Sequence, residues 1–512
     1  MSSKTQRLVV VCGALVGLSL VVYALRVLTA ADADRVAMLP DDAFYYLTLA
    51  KNVVRDGAWT FDGGVSLTTG FHPLFAYLLV PLAALSDGRT LIDLASALVS
   101  VTALVTFGVA FWRAYRARRW DVALAITMIA GSAMVMLLTT IIIEWPFTIA
   151  CCGLFWAELA RVDGLVGDPR LRRRALVWLA LAVLARSDSV LLVGPLVLVD
   201  VVAARRVRGR VFWPIGAALG GYALVTLHGV LIAGALTQSS AATKLDWALS
   251  QGVSPGPALT MVAQVLSPVE LRFNLGLSLV ARLALLGSGA ALVAAFVWAT
   301  RKAARTLPRP LVGAALATVV AYVAAYSFNS AAMDSWYTAP FIAPLVILLA
   351  YVLGRLAVLP FPVLVVVALG YLGVHAVMAQ RLDDHRAAQR AVLALADATR
   401  ATVNERRTAS INAGLFGFEQ GGHVVNIDGL VNDDIAAYRK ADRLACYLVD
   451  HGVEYLEDVD LMPRDQAYWA RHGDPQLLIR AALTPVTTRV VDAHEATLYA
   501  LDREALGAAC GP

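Results

Sequence analysis

From its first residues to about residue 380 the chain is a succession of long apolar runs separated by short clusters of arginine and lysine. A helix needs roughly 20 apolar residues to cross the ~30 Å hydrocarbon layer. Only a helix or a closed barrel satisfies its own backbone hydrogen bonds there. The expected fold class is therefore an α-helical polytopic membrane protein. The composition, 59% hydrophobic against 16% charged, excludes an ordinary globular protein. The net charge of +5 is dispersed among inter-helix clusters instead of one face, which orients spans and argues against a nucleic-acid partner.

The first run, to about Ala30, is too long for a cleaved signal peptide and reads as a retained signal anchor. Lys4 and Arg7 precede it, so the positive-inside rule places the following segment outside. The run from about Leu74 to Leu85 is too short to cross and reads as a surface or re-entrant helix. Spans then follow at about Leu91–Trp112, Val122–Leu138 and Ile142–Leu159. Two short spans, Ala175–Ala185 and Val190–Ala203, meet near the outer surface at Arg186 and Asp188, which keeps the basic clusters on either side of them inside. Further spans are expected at Val211–Ala233, Leu275–Trp298, Leu311–Ser327 and Phe341–Leu353, with a last one ending at about Gln380. The total of about eleven is odd, so residues 381–512 fall on the same outer side as the loop 31–90.

That loop carries adjacent carboxylates, Asp41 and Asp42, directly after the first span. Pro40 suits a helix start, and acidic groups there are stabilised by unpaired amides; a plain cap is one reading. A helix from Asp41 to Arg55 also aligns Asp41, Tyr45, Thr48, Asn52 and Arg55 as a polar stripe, expected to face a polar cleft at the membrane surface. The turn DGGVSLTTGFHP follows, suited to irregular backbone.

From about Arg381 the chain becomes polar and alternates helix-like stretches, Asp383–Arg406 and Asp433–His451, with strand-like ones such as His423–Ile427. A C-terminal α/β or α+β soluble domain is expected. Its segment INAGLFGFEQGGHVVNIDGLVND reads as strand, Gly-rich turn, strand, Asp-Gly turn. Cys446 and Cys510 both fall in this part, where export would permit a disulfide and retention would not; Cys12, Cys151 and Cys152 lie in apolar runs and read as buried. No Walker or GxGxxG loop occurs, and the scattered histidines give no metal-ligand spacing. In the outer loop FNSAAMDSWYTAP, which holds Asp334, Trp336 and Tyr337 read as interfacial anchors.

The segments DDAFYYLTLAKN, TTGFHPL, LARSDS, SAATKLD and NAGLFGFEQGGHVVNIDGLVND resemble bacterial members of the GT-C glycosyltransferase superfamily, over Asp41 to about Asp434. The resemblance implies an integral membrane enzyme that uses lipid-phosphate-linked sugars, with the catalytic acid in the first outer loop, on Asp41 or Asp42. The C-terminal part is similar to those of arabinofuranosyltransferases and protein O-mannosyltransferase-like enzymes. The WWD motif of oligosaccharyltransferases is missing.

Chemistry leads to the same expectation. Transfer from a polyprenyl-phosphate sugar needs a base at the acceptor hydroxyl and positive groups at the departing phosphate. Asp41 is expected as base with Asp42 as partner or replacement, Arg186, Lys244 and His72 at the phosphate, Glu144 and Asp188 orienting the acceptor or holding the cations, and Tyr45 orienting the acceptor. No cofactor is expected beyond the donor itself, with a divalent metal left open, and the partners are membrane lipid and a glycan, lipid or protein acceptor. The expected location is the bacterial cytoplasmic membrane, with site and C-terminal domain extracytoplasmic. A transporter or flippase of lipid-linked sugars is the rival, but it would favour matching halves, which the sequence lacks.

Overall fold

The computed structural model describes residues 3–160, 169–194, 197, 212–251, 254–266, 307, 309–328, 335–356, 388–404, 406–421, 423–441, 443–459 and 482–510. Among them five helical segments are long and apolar enough to cross a membrane: Val9–Thr29, Gly88–Arg116, Trp213–Ala233, Pro310–Ser327 and Ser335–Gly354. The protein is thus a mostly helical membrane protein with a small C-terminal sheet. The expected spans Leu275–Trp298 and that ending near Gln380, like Asp334, lie outside the described residues.

The first nine helices are α1 (Ser3–Thr29), α2 (Asp32–Ala37), α3 (Asp41–Asp56), α4 (Pro73–Leu85), α5 (Gly88–Arg116), α6 (Trp120–Ala130), α7 (Ala133–Leu138), α8 (Trp145–Leu159) and α9 (Pro169–Ala185). The single helix expected over Val122–Leu138 is two, α6 and α7. Ser132 restarts the chain after Gly131, its hydroxyl accepting the Val135 amide at 3.3 Å. Helix α4, at 13 residues, is ~20 Å long, shorter than the hydrocarbon layer, as expected of a surface helix. Helix α9 ends at Ala185 and a short 3-10 turn, Ser187–Leu192, follows, so the chain breaks at Arg186.

Helix α3 begins where the sequence indicated. Pro40 is extended ahead of it, Asp41 and Asp42 fill its first turn, and Gly57 closes it at φ 70°, a left-handed conformation that glycine adopts without penalty. Its apolar face, with Phe44 and Leu47, belongs to a buried cluster. That cluster also takes in Phe75 and Leu79 of α4, Leu91 and Ile92 of α5, and Leu395, Phe416, Val424 and Leu498 from the far end of the chain. The C-terminal part therefore packs on the loop that follows α1, and the two lie on the same side of the spans.

The C-terminal sheet has strands β1 (Thr408–Ser410), β2 (Val424–Asn426), β3 (Tyr455–Val459), β4 (Leu483–Val491) and β5 (His494–Leu501), in the order β2-β1-β3-β5-β4. β1 runs parallel to β2 and β3, while β3, β5 and β4 are antiparallel. Three expectations change in detail. The helix placed at Asp383–Arg406 is described over Ala388–Val403; that placed at Asp433–His451 is two, Ile435–Lys440 and Leu444–Asp450; and the stretch read as a Gly-rich turn is a helix, Ala413–Glu419. Its glycines have packing reasons: Gly414 lies against Asp41 and Gly417 against the Phe61 ring, where a side chain would collide. A Cys446–Cys510 disulfide joins the Leu444–Asp450 helix to the C-terminal helix Arg503–Ala509, across a Cα–Cα distance of 5.4 Å. Cys12, Cys151 and Cys152 are buried thiols.

Candidate active site

A helix turns about 100° per residue, so Asp41 and Asp42 point to different faces of α3. Asp41 accepts the backbone amides of Gly414 at 2.7 Å and Leu415 at 2.9 Å, capping the Ala413–Glu419 helix. Burial raises the Asp41 carboxyl above its usual range, and those two amides pull against the rise. The rest of the stripe faces the same way. The Tyr45 hydroxyl accepts the Ala413 amide at 3.2 Å and the Asn426 side chain at 3.0 Å. Asn52 donates to the Thr60 carbonyl at 2.8 Å and Arg55 to the Gly421 carbonyl at 2.8 Å. The expectation that this stripe faces a polar cleft is corrected in part: Tyr45 reaches the cavity described below, while Asp41, Asn52 and Arg55 bond backbone groups of the neighbouring loop and the C-terminal part.

Asp42 lines a cavity of about 320 Å³ together with Tyr45, Tyr46, His72, Glu144, Arg186, Asp188, Lys244 and Tyr337. Asp41 is not among its lining residues. Tyr46, one turn beyond Asp42, donates to Glu144 Oε2 at 3.0 Å and accepts the His72 amide at 3.3 Å. Arg186 donates to Glu144 Oε1 at 2.6 Å and to Asp188 Oδ2 at 2.9 Å, and lies over the Tyr337 ring at 4.3 Å. Asp188 Oδ2 also accepts the Tyr326 hydroxyl. Arg186 and Glu144 each retain only 3% side-chain exposure; one buried charge neutralises the other. Lys244 donates to the Tyr337 hydroxyl at 2.6 Å. His72 Nε2 lies 3.7 Å from Glu144, and burial keeps its imidazole below the usual range. Two buried polar atoms here, His72 Nδ1 and Asp188 Oδ1, have no hydrogen-bond partner among the described residues.

The cavity's fourth wall, Leu430 and Val431, comes from the C-terminal part. Asp433 accepts the Thr69 amide at 2.9 Å and the Thr69 hydroxyl at 2.7 Å. Ser239 and Thr243 donate to the carbonyls of Leu430 and Gly429 at 3.1 and 2.9 Å. The TTGFHP and DGLVND segments are thereby locked together, with Gly70 flat against the Leu430 carbonyl. Among the described residues no group of three His, Cys, Asp or Glu side chains is placed to hold a metal.

Of the eight side chains expected at the site, seven line this cavity and Asp41 does not. Sequence reasoning missed Tyr46, Gln238, Tyr326 and Tyr337, which also line it. Tyr46 was findable, four residues after Asp42. Tyr337 was taken as an interfacial anchor because aromatic residues at a span end usually are.

The fold is similar to that of ArnT from Cupriavidus metallidurans in the apo state, at 15% identity and a TM-score of 0.55, over 97% of this chain and 98% of that one. It is likewise similar to the same protein bound to undecaprenyl phosphate, at 14% identity and 0.53, over 97% and 99%. The oligosaccharyltransferase AglB from Archaeoglobus fulgidus, in complex with an inhibitory peptide and a dolichol-phosphate, matches at 12% identity and 0.51, over 92% of this chain and 71% of that one. No family model and no curated protein matches the sequence. At these identities the likeness is one of fold.

Proposed function

We propose that this chain, which has the GT-C fold, is a membrane glycosyltransferase that moves a sugar from a polyprenyl-phosphate donor to an acceptor hydroxyl. The observation that carries the reading is one cavity lined by the Asp42 carboxylate together with Lys244, Arg186 and His72. The lipid phosphates named with two proteins of like fold, undecaprenyl phosphate with ArnT and dolichol-phosphate with AglB, support the donor class.

In this reading Asp42 is the general base. The acceptor oxygen forms a bond to the sugar's anomeric carbon, its proton passes to the Asp42 carboxylate, and the bond from that carbon to the phosphate oxygen breaks with its electron pair leaving on the phosphate. Lys244, which lines the cavity and donates to the Tyr337 hydroxyl, meets the departing charge. Arg186 is already held by two carboxylates and contributes mainly by fixing Glu144 and Asp188. His72 Nδ1 and Asp188 Oδ1, buried without hydrogen-bond partners among the described residues, suit substrate hydroxyls. Asp41 keeps the C-terminal wall of the cavity in place.

The Cys446–Cys510 bond supports an oxidising compartment for the C-terminal part, and hence an extracytoplasmic site in the bacterial cytoplasmic membrane. The organisation that fits is a membrane domain over residues 1–380 and an exported domain over 381–512. Purified protein supplied with polyprenyl-phosphate sugars tests the reading. Transfer that vanishes in Asp42→Asn, and that needs a raised donor concentration in Lys244→Met, supports it; undiminished transfer in Asp42→Asn overturns the base assignment, and no transfer from any such donor overturns the enzyme.

A further inference from the structure

Across a wall shared by Ser187, Gln238, Ala241 and Leu245 lies a second cavity, of about 540 Å³. Its position is set by the C-terminal half of a candidate span, Trp213–Ala233, which supplies Tyr222, Thr226 and Gly229, and by the Ala235–Thr243 stretch. The two chambers differ in chemistry. Five charged side chains and one histidine line the first, whereas no charged side chain and no histidine line the second among the described residues. The polar groups of the second are hydroxyls and one amide, from residues such as Thr226, Thr237, Thr243 and Gln238, set among Val225 and Leu236. The Gln238 amide is the partition. Its oxygen accepts the Ser187 hydroxyl at 2.9 Å and its nitrogen donates to the Phe71 carbonyl at 2.6 Å, and it lines both sides.

We propose that the second cavity is the acceptor subsite, and that it takes an uncharged polyhydroxyl group, such as a sugar ring, whose reactive hydroxyl is presented past Gln238 toward Asp42. The proposal rests on the transferase reading above. Hydroxyls of a neutral ring exchange water for Ser, Thr and Gln partners at little net loss, and the Tyr222 ring offers an apolar surface beside them. The volume is in the range of small-molecule sites, about 300 to 1,000 Å³. An ionised acceptor group would be desolvated there with no counter-charge among the described lining residues, a penalty of several kcal/mol that works as rejection. The charged species of the reaction, carboxylate base and phosphate leaving group, are then confined to the chamber that holds the cations.

The test uses the full-length protein in nanodiscs and two photoreactive probes of equal size, an octyl glucoside and an octyl glucuronide, with labelled peptides mapped by mass spectrometry. The glucoside should label the 222–243 region roughly tenfold more than the glucuronide. Thr226→Lys should reverse that preference, and Leu236→Lys, at a position 72% exposed and so tolerant of change, should do the same if Thr226→Lys fails to fold. Equal labelling by both probes, or labelling that avoids 222–243, overturns the proposal. Labelling needs no turnover, so a protein that labels as expected but moves no sugar refutes the transferase reading while leaving the preference of the cavity standing.

Discussion

Asp41 and Gly414, 373 positions apart, are joined by a 2.7 Å hydrogen bond from the Gly414 amide to the Asp41 carboxylate. The residue next to Asp41 lines a cavity with Lys244, Arg186 and His72. Two adjacent acids of the same type thus have different work, because one residue of helix rotates the side chain onto another face.

Asp42→Asn should lower transfer by about 100-fold or more, the usual contribution of a positioned base, with melting temperature unchanged. Asp41→Asn should lower stability by about 1 kcal/mol, the scale of a lost helix cap, and reduce transfer far less. Steady-state rates with a polyprenyl-phosphate sugar, set beside thermal unfolding of each variant, separate the two; the reverse ranking would make Asp41 the base.

Arg186 is buried between two acids, so removing either member of the Arg186–Glu144 pair strands a charge. Glu144→Gln and Arg186→Met should each destabilise by about 3–5 kcal/mol. The double variant should be less destabilised than the sum of the two by at least about 1 kcal/mol. Denaturant unfolding in detergent measures the cycle, and strict additivity would show that the pair is not coupled.

Gly70→Ala places a methyl into the Leu430 carbonyl. Relief requires the Asp428–Asp434 segment to move, at a cost of about 1–3 kcal/mol. Limited proteolysis should cut the variant faster near residue 430 and leave the spans intact, and transfer should fall because Leu430 and Val431 wall the cavity. Unchanged proteolysis would mean the contact is slack.

Glu457 on β3 is buried with one oxygen accepting the Ser410 hydroxyl at 2.6 Å and the other unpaired. Burial pushes its carboxyl from 4.5 up to about 8. The folded state therefore holds the proton more tightly than the unfolded one, so the stability this group contributes is complete below 4.5 and is lost as pH rises toward 8. The slope is about 1.4 kcal/mol for each unit of difference. Melting of the wild type should fall across that window, and Glu457→Gln should flatten it. A melting temperature equally pH-dependent in the variant assigns the slope to other groups.

Helices set by local chemistry were legible: α3 starts after Pro40 and stops at Gly57, and α4 is too short to cross. So was the gathering of Asp42, His72, Glu144, Arg186, Asp188 and Lys244, since sidedness brings scattered polar breaks to one boundary. The partner of the polar stripe was not. Period locates a face, but nothing local tells Tyr45 that its hydroxyl will meet Asn426 and Ala413. The Ala413–Glu419 helix was hidden by Gly414 and Gly417, each of which lowers helix propensity by about 1 kcal/mol. Close approach to Asp41 and Phe61 selects glycine there for space, which composition alone reads as a turn.

The wall formed by Leu430 and Val431 has a consequence in time. A ribosome delivers this polypeptide from its amino end, and every charged group of the chamber has emerged before those two residues are made. Until the last fifth of the chain arrives and clasps Thr69, Ser239 and Thr243, the chamber has no roof. A half-inserted protein therefore lacks the finished site, and fidelity in assembling the C-terminal part decides when the cavity is complete.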